Sequence, residues 1–299
     1  MAQIRQYSLE RKAMLFTVVF ELHKEKRYGI INLCTAIGVS RSGYYKWLDR
    51  APSEQEIIND CLAVEIKRIY DESDSTFGVE RITLAINREL NISLNPKRVR
   101  RLMRIQGISS VIRRKRNNYV KSTAEHIYEN IINRVFVATK PNEKWFTDVT
   151  YLKFGNNTKA YLSAIIDIYD QSIISWKISH HNDNELVRET IEEAFRINPE
   201  ARPYIQADRG SQYTSGMYKE LSLKHGFQIS MSRVSKCLDN QPIESFWGTL
   251  KSEYYYRKKF DSFESLVNGI EGYISRYMHK RYVKKFGGLT PAEFRALVA

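Results

Sequence analysis

The apolar positions of this chain change period near residue 144, and the change separates two kinds of structure. Upstream of it the spacing is helical. Within 31–48, Leu33, Ala36 and Ile37 recur at helical intervals, Gly38 permits a tight turn, and Ser40 suits the start of a second helix. This is helix-turn-helix grammar, with Arg41, Ser42 and Lys46 expected outward and Tyr45 or Trp47 inward. An ordinary helical hairpin fits the same residues. Pro52 and Ser53 open an amphipathic segment whose stripe is Ile57, Ile58, Leu62, Val64 and Ile66. A helix ending near Tyr70, a turn at 76–78, a helix over 80–90 and a helix from Pro96 follow. Asn95 is the cap of the last and Pro96 its first residue.

Downstream the period is that of strands. Aromatic and β-branched residues fill 145–154, 161–169 and 173–178, separated by short polar turns. Helices are expected over 184–196 and 217–225 and from Pro242 onward. Short strands are expected at 204–207 and 227–231. Three antiparallel strands followed by alternating helices and strands describe a mixed sheet with helices packed on it. The expected division is a helical module at 1–55, a second helical DNA-binding module at 56–120, a linker at 121–141, an α/β domain at 142–258 and a helical tail at 259–299.

Charge sharpens this division. The net charge of +13 splits into +10 over residues 1–140 and +3 over the remainder. A basic front half beside a near-neutral rear half points to a polyanion-binding module joined to a domain with other work. The helix from Pro96 sets Val99, Leu102 and Met103 against a cationic face of Lys97, Arg98, Arg100, Arg101 and Arg104. The block Arg113, Arg114, Lys115 and Arg116 follows. Such faces displace the counterions condensed on nucleic-acid phosphates; a solvated linker is the plainer reading of the block. Cys34, Cys61 and Cys237 have neither zinc spacing nor an even count, which suits a reducing cytoplasm. No apolar run reaches the length of a membrane span.

Three carboxylates stand out in the rear half. Asp148 lies within the first strand among apolar neighbours, where a lone carboxylate is costly unless it is paired or binds a cation. Asp208 closes a short strand, at the sheet edge where ligands favour binding. Glu244 lies one turn into a helix and shares a face with Lys251, two turns on, with Trp247 and Gly248 between them. Any single acid is more simply a cap, a turn residue or a surface charge. Asp239 is expected to cap a helix, and Asp167 and Asp170 to serve at a strand end and a turn.

The stretches Trp145-Phe-Thr-Asp-Val-Thr-Tyr151, Asp208-Arg-Gly-Ser-Gln-Tyr-Thr-Ser215 and Asp239-Asn-Gln-Pro-Ile-Glu-Ser-Phe-Trp-Gly-Thr-Leu-Lys-Ser-Glu253 resemble those of DDE transposases, specifically the OrfB product of IS-three-type insertion sequences. Thirty-five residues separate Asp208 from Glu244, the spacing of the branch similar to retroviral integrases. The tail Gly287-Gly-Leu-Thr-Pro-Ala-Glu-Phe294 and the segment Val39-Ser-Arg-Ser-Gly-Tyr-Tyr45 extend the resemblance over nearly the whole chain. It implies a ribonuclease H-like fold in which Asp148, Asp208 and Glu244 hold two Mg²⁺ or Mn²⁺ ions for DNA cleavage and strand transfer. It implies that Lys251 contacts a phosphate near the DNA terminus. The implied partners are the element's terminal inverted repeats and target DNA, bound by a homo-oligomer, with an upstream-frame product or fusion. A bacterial cytoplasmic, nucleoid-associated location follows. The chain departs from the family at Gln206, where histidine is usual, at Leu238, where tryptophan is common, and at Met278, which follows Tyr277 in place of asparagine. The alternative in another class is a DNA-binding regulator, or an inactive derivative, whose helical modules grip DNA without catalysis.

Overall fold

The computed structural model describes residues 2–112, 128–233 and 237–298. The basic block at Arg113, Arg114, Lys115 and Arg116 lies outside the described residues. The chain divides into two compact units, Met1–Val64 and Glu65–Ala299.

In the first unit, α1 (Ala2–Lys26), α2 (Ile30–Ile37) and α3 (Arg41–Leu48) pack around Val19, Leu33, Cys34 and Tyr44. Gly38 turns the chain with φ of 75°, a left-handed conformation that costs glycine little, and Ser40 accepts a bond from Gly43 N to start α3. The inward aromatic of α3 is Tyr44, flanked by half-buried Trp47. Of the two aromatics expected inward, Trp47 packs on this core and Tyr45 is exposed. Residue 44 lies one turn below the exit of α3, facing Phe16 of α1, whereas 45 is rotated about 100° off that face.

Helix α4 (Glu54–Glu72) crosses the division between the units. Its buried stripe is Leu62, Ile66, Ile69 and Tyr70; Ile57, Ile58 and Val64 of the expected stripe are exposed. Residues 62, 66, 69 and 70 keep one helical face, and Val64 falls off it. Helices α5 (Val79–Glu89) and α6 (Pro96–Ile105) complete the helical part of the second unit. Asn95 caps α6 through Lys97 N, and Val99, Leu102 and Met103 face inward.

The sheet has the order β3-β2-β1-β4-β5. Strands β1 (Lys144–Phe154), β2 (Thr158–Asp167) and β3 (Ile173–Ser179) are antiparallel. β4 (Tyr204–Ala207) runs parallel to β1, and β5 (Gln228–Met231) parallel to β4. Helices α7 (Asn184–Ile197) and α8 (Gly216–His225) cover one face around Trp145, Ile165 and Ile205. Helices α9 (Gln241–Glu253) and α10 (Phe263–Lys280) cover the other around Phe146, Leu152 and Leu162, and α11 (Pro291–Ala296) closes the chain. The tail is therefore part of the sheet's core. The segment 128–138, expected as a connector, lacks regular structure yet is docked: Ile131 and Ile132 donate backbone N–H to Ser230 Oγ, and Ile132, Phe136 and Ala138 pack on the core.

Arg295 of α11 ties the fold shut. Its guanidinium pairs with Asp170 at 2.8 Å and Asp167 at 3.1 Å, and it donates to Asn142 Oδ1 at 2.6 Å. Asp167 and Asp170 stand at the strand end and turn as expected, fully buried, and share this one cation. Burial and the neighbouring Asp170 charge push the Asp167 carboxyl up, against the pull of Arg295. Replacing Arg295 with alanine leaves two buried acids without their cation and is expected to cost about 3 kcal/mol. Urea denaturation should show that loss, and adding Asp170→Asn should recover part of it; full stability of the single variant would contradict this account.

Candidate active site

Strand β1 pairs with β4 only over Lys144–Phe146, so its continuation past Phe146 has an unpaired edge. Asp148 lies on that continuation, opposite Ala164 of β2. Asp208 is the first residue past β4. Its Oδ1 accepts from Gly210 N at 2.8 Å, and a Cβ on Gly210 would stand only 3.0 Å from the same oxygen. A side chain there would have to displace the Asp208 carboxylate by a few tenths of an ångström. Glu244 projects from the first turn of α9, exposed on a groove of about 870 Å³ that Val79, Arg81 and Ile112 line from the other side.

The Asp208 charge acts on both other acids. Burial and then the Asp208 charge push the Asp148 carboxyl up to about 7, Glu244 adding to the rise while a Trp247 hydrogen bond opposes it. Burial raises Asp208 against its bond from Gly210. Partial desolvation and then Asp208 raise Glu244. None of the three forms an ion pair among the described residues. Nor, among those residues, do three His, Cys, Asp or Glu side chains close into a ready metal cluster.

Helix α9 is bound to β1 along its length. Asn240 Nδ2 donates to the carbonyl of Thr147 at 3.0 Å, Trp247 Nε1 donates to Asp148 Oδ2 at 3.0 Å, and Lys251 Nζ donates to Thr150 Oγ1 at 2.6 Å. Glu244, Trp247 and Lys251 thus share the face that the helical spacing implies. Burial lowers the Lys251 ammonium while the Asp148 charge supports it, and no carboxylate pairs with it among the described residues. Tyr213, three residues past Gly210, is buried beneath the acids with its hydroxyl 3.3 Å from Thr147 Oγ1.

Both ends of α9 carry a buried acid held by two arginines. Before it, Asp239 is almost fully buried in a short 3-10 turn and does not cap the helix. Its carboxylate instead takes Arg134 Nε at 2.6 Å and Arg233 Nε and Nη2 at 2.9 Å. Burial works to raise Asp239, but the Arg233 and Arg134 bonds outweigh it and hold the carboxyl far below its ordinary value. At the far end, Glu253 receives Arg281 at 2.8 Å, Arg81 of α5 at 3.0 Å and the Tyr273 hydroxyl at 3.0 Å. Gln206, at the position where the family resemblance leads one to expect histidine, is fully buried. It accepts from Ser230 Oγ at 2.6 Å and donates to Ser232 Oγ at 3.1 Å, so its side chain locks β4 to β5.

The remaining candidates divide by position. Arg41 and Lys46 are exposed on α3. Lys97, Arg100, Arg101 and Arg104 are exposed on α6, but Arg98 is half-buried and is not part of that open face. The roles of Trp247 and Asn240 as partners of β1 were not legible beforehand, because cross-element bonds have no local sequence signal.

Sequence comparison agrees with this architecture. Integrase core domain models match residues 138–237 and 244–297, and an HTH-like domain model matches 58–116. The chain is 36% identical over 269 residues to the InsK protein of insertion sequence element IS150 in Escherichia coli, covering 90% of this chain and 94% of that one. It is 33% identical to the transposase of IS904 from Lactococcus lactis, over 78% of this chain and 92% of that one. Against the InsF transposase of IS3A from Escherichia coli it is 29% identical, over 93% and 97%. The fold and sequence define an integrase-core recombinase with a ribonuclease H-like sheet. Within that class, the chain belongs to the IS-three family of insertion-sequence transposases.

The burial of Asp148 beside the Asp208 charge has a thermodynamic consequence. An acid whose carboxyl is raised by folding destabilises the fold above its unfolded value of 3.8, fully so above about 7, and not at all well below both. Asp148→Asn should therefore raise unfolding stability in EDTA at pH 8 by on the order of 1–3 kcal/mol and leave it unchanged near pH 3.5. Thermal melts at the two pH values check this; equal shifts at both would show that folding does not raise the Asp148 carboxyl.

Proposed function

We propose that the chain is a DDE-type polynucleotidyl transferase that cleaves insertion-sequence ends and joins the freed 3′-hydroxyl to target DNA, with Asp148, Asp208 and Glu244 holding two Mg²⁺ or Mn²⁺ ions. The observation that carries the reading is the placement of three carboxylates, one on β1, one just past β4 and one in the first turn of α9, that lack cationic partners among the described residues, with burial and then the Asp208 charge pushing both others up. Negative charge that is partly desolvated, as at Asp148 and Asp208, and faces further like charge is stabilised by a bound cation. All three donors are carboxylate oxygens, which suit hard divalent ions rather than soft ones. When bound, such ions supply Lewis acidity to a phosphodiester and favour the ionised form of an attacking hydroxyl.

The protein's own groups do the rest. Trp247 fixes the orientation of Asp148 by donating to Oδ2, and the Gly210 amide fixes Asp208. Lys251, partly desolvated, presents an ammonium beside Asp148 that binds a phosphate flanking the reacting one. The exposed cations of α6 hold the DNA backbone at a distance from the chemistry. In the first step water attacks the phosphodiester at the element end and the 3′-oxygen leaves. In the second that 3′-hydroxyl attacks a phosphodiester of the target. Each step forms one P–O bond and breaks one, so no covalent protein intermediate and no external energy source are required. The DNA partners are the element's terminal repeats and the target, bound by an oligomer of this chain.

Asp148→Asn, Asp208→Asn and Glu244→Gln should each abolish cleavage and strand transfer of labelled element ends in Mg²⁺ or Mn²⁺ while leaving DNA affinity within a few-fold. The triple change Arg100→Ala, Arg101→Ala and Arg104→Ala should weaken binding and reduce the salt slope by about 2–3. A parent protein that binds element ends but never cuts them would instead support a DNA-binding regulator.

A further inference from the structure

The β1–β2 ribbon has one open face. β1 continues paired with β2 to Phe154↔Thr158, eight residues beyond its last contact with β4. On one side of this extension Leu152, Ala160 and Leu162 are buried in the core. The register Tyr151↔Tyr161 and Lys153↔Lys159 places two tyrosines and two lysines together on the opposite side. There Tyr151 is 54% exposed, and Lys153 and Lys159 are exposed as well.

This arrangement is unfavourable for stability alone. Like charges directly opposite on antiparallel strands repel, and among the described residues neither lysine has a carboxylate partner. Opposed like charges that no carboxylate offsets are a local rule broken, as functional surfaces often show. The ammonium groups of Lys159 and Lys251 each stand 5.5 Å from the centre of the Tyr151 ring. Because Lys251 also bonds Thr150, whose side chain lies on the other face of β1, it stands at the strand's unpaired edge between the acids and the lysine pair. Tyr151 is three residues from Asp148, roughly 10 Å along the strand. Interleaved lysines and aromatics on an exposed sheet face suit a nucleic-acid backbone, with phosphates on the ammoniums and a base or sugar on the ring.

We propose that this outer face, Tyr151 with Lys153, Lys159 and Tyr161, is a DNA-backbone track that seats the strand leading away from the reacting phosphodiester. The direction of the track rests on the active-site reading above; its binding does not. The same chemistry fits either the element end or the target strand.

The test uses the full chain carrying Asp208→Asn, so that binding is read without cleavage. Two labelled duplexes are compared, one bearing the element's terminal repeat and one of unrelated sequence. Adding Lys153→Gln and Lys159→Gln should make the plot of log affinity against log salt shallower by about 1–2 for at least one duplex. The duplex affected identifies the source. Tyr151→Ala should weaken the same duplex by about fivefold or more. Removing two opposed charges should not lower the melting temperature, so a binding loss cannot come from unfolding. Unchanged slopes for both duplexes, or a loss traced to a lowered melting temperature, would overturn the track. Failure of the parent to cut DNA, with the slope change intact, would remove the catalytic reading and leave the track standing.

Discussion

Like charges must be held together here against their own repulsion and against the loss of water around them. Asp148, on a strand extension with one free edge, is pushed up to about 7 by burial and by Asp208. Two of the three acids come from the sheet and one from α9, so the arrangement depends on how firmly that helix is fixed to β1. Three bonds do this at successive heights, from Asn240, Trp247 and Lys251. The Trp247 contact does double duty, since the same N–H that positions the helix also relieves Asp148.

The helix is further fixed from beyond its ends. Asp239 collects Arg134 and Arg233, which joins the start of α9 to the docked segment 128–138 and to the exit of β5. Glu253 collects Arg81 and Arg281. Each buried acid is costly alone and tolerable with two guanidiniums around it. The charge that is compensated is thereby kept apart from the charge that is not: arginines crowd both ends of α9, and among the described residues none pairs with the three acids between them.

Much of this was legible in the amino-acid order. Strand-period runs at 145–154, 173–178 and 204–207 became β1, β3 and β4 within a residue or two, because β-branched and aromatic residues there face two packed layers. The spacing of Glu244 and Lys251 gave their shared face directly. What escaped depended on distant neighbours. Tyr44 and Tyr45 are identical in type, and the packing of α1 and α2 around Val19, Leu33 and Phe16 decides which turns inward. Asp239 has the composition of a cap, but two arginines remote from its helix claim it. Gln206 could be described as a departure from a family pattern, yet its serine partners, on β5 and just past its end, lie 24 and 26 residues away. Arg98 belongs to a cationic run in sequence and is half-buried in space, since a helix presents only part of any continuous run to one side.

The ion cluster at Glu253 bears on how such chains can be inherited. Arg81 belongs to the stretch matched by the HTH-like domain model, while Glu253 and Arg281 belong to the stretch matched by the integrase core model. Arg88 with Glu293 and Lys284 with Glu80 cross the same boundary. A recombination event that exchanged the helical module for a foreign one would break a buried charge balance at the end of α9. Arg81 and Glu253 therefore form one physical unit that spans the two matched stretches, and altering either alone would leave its partner's charge less well matched.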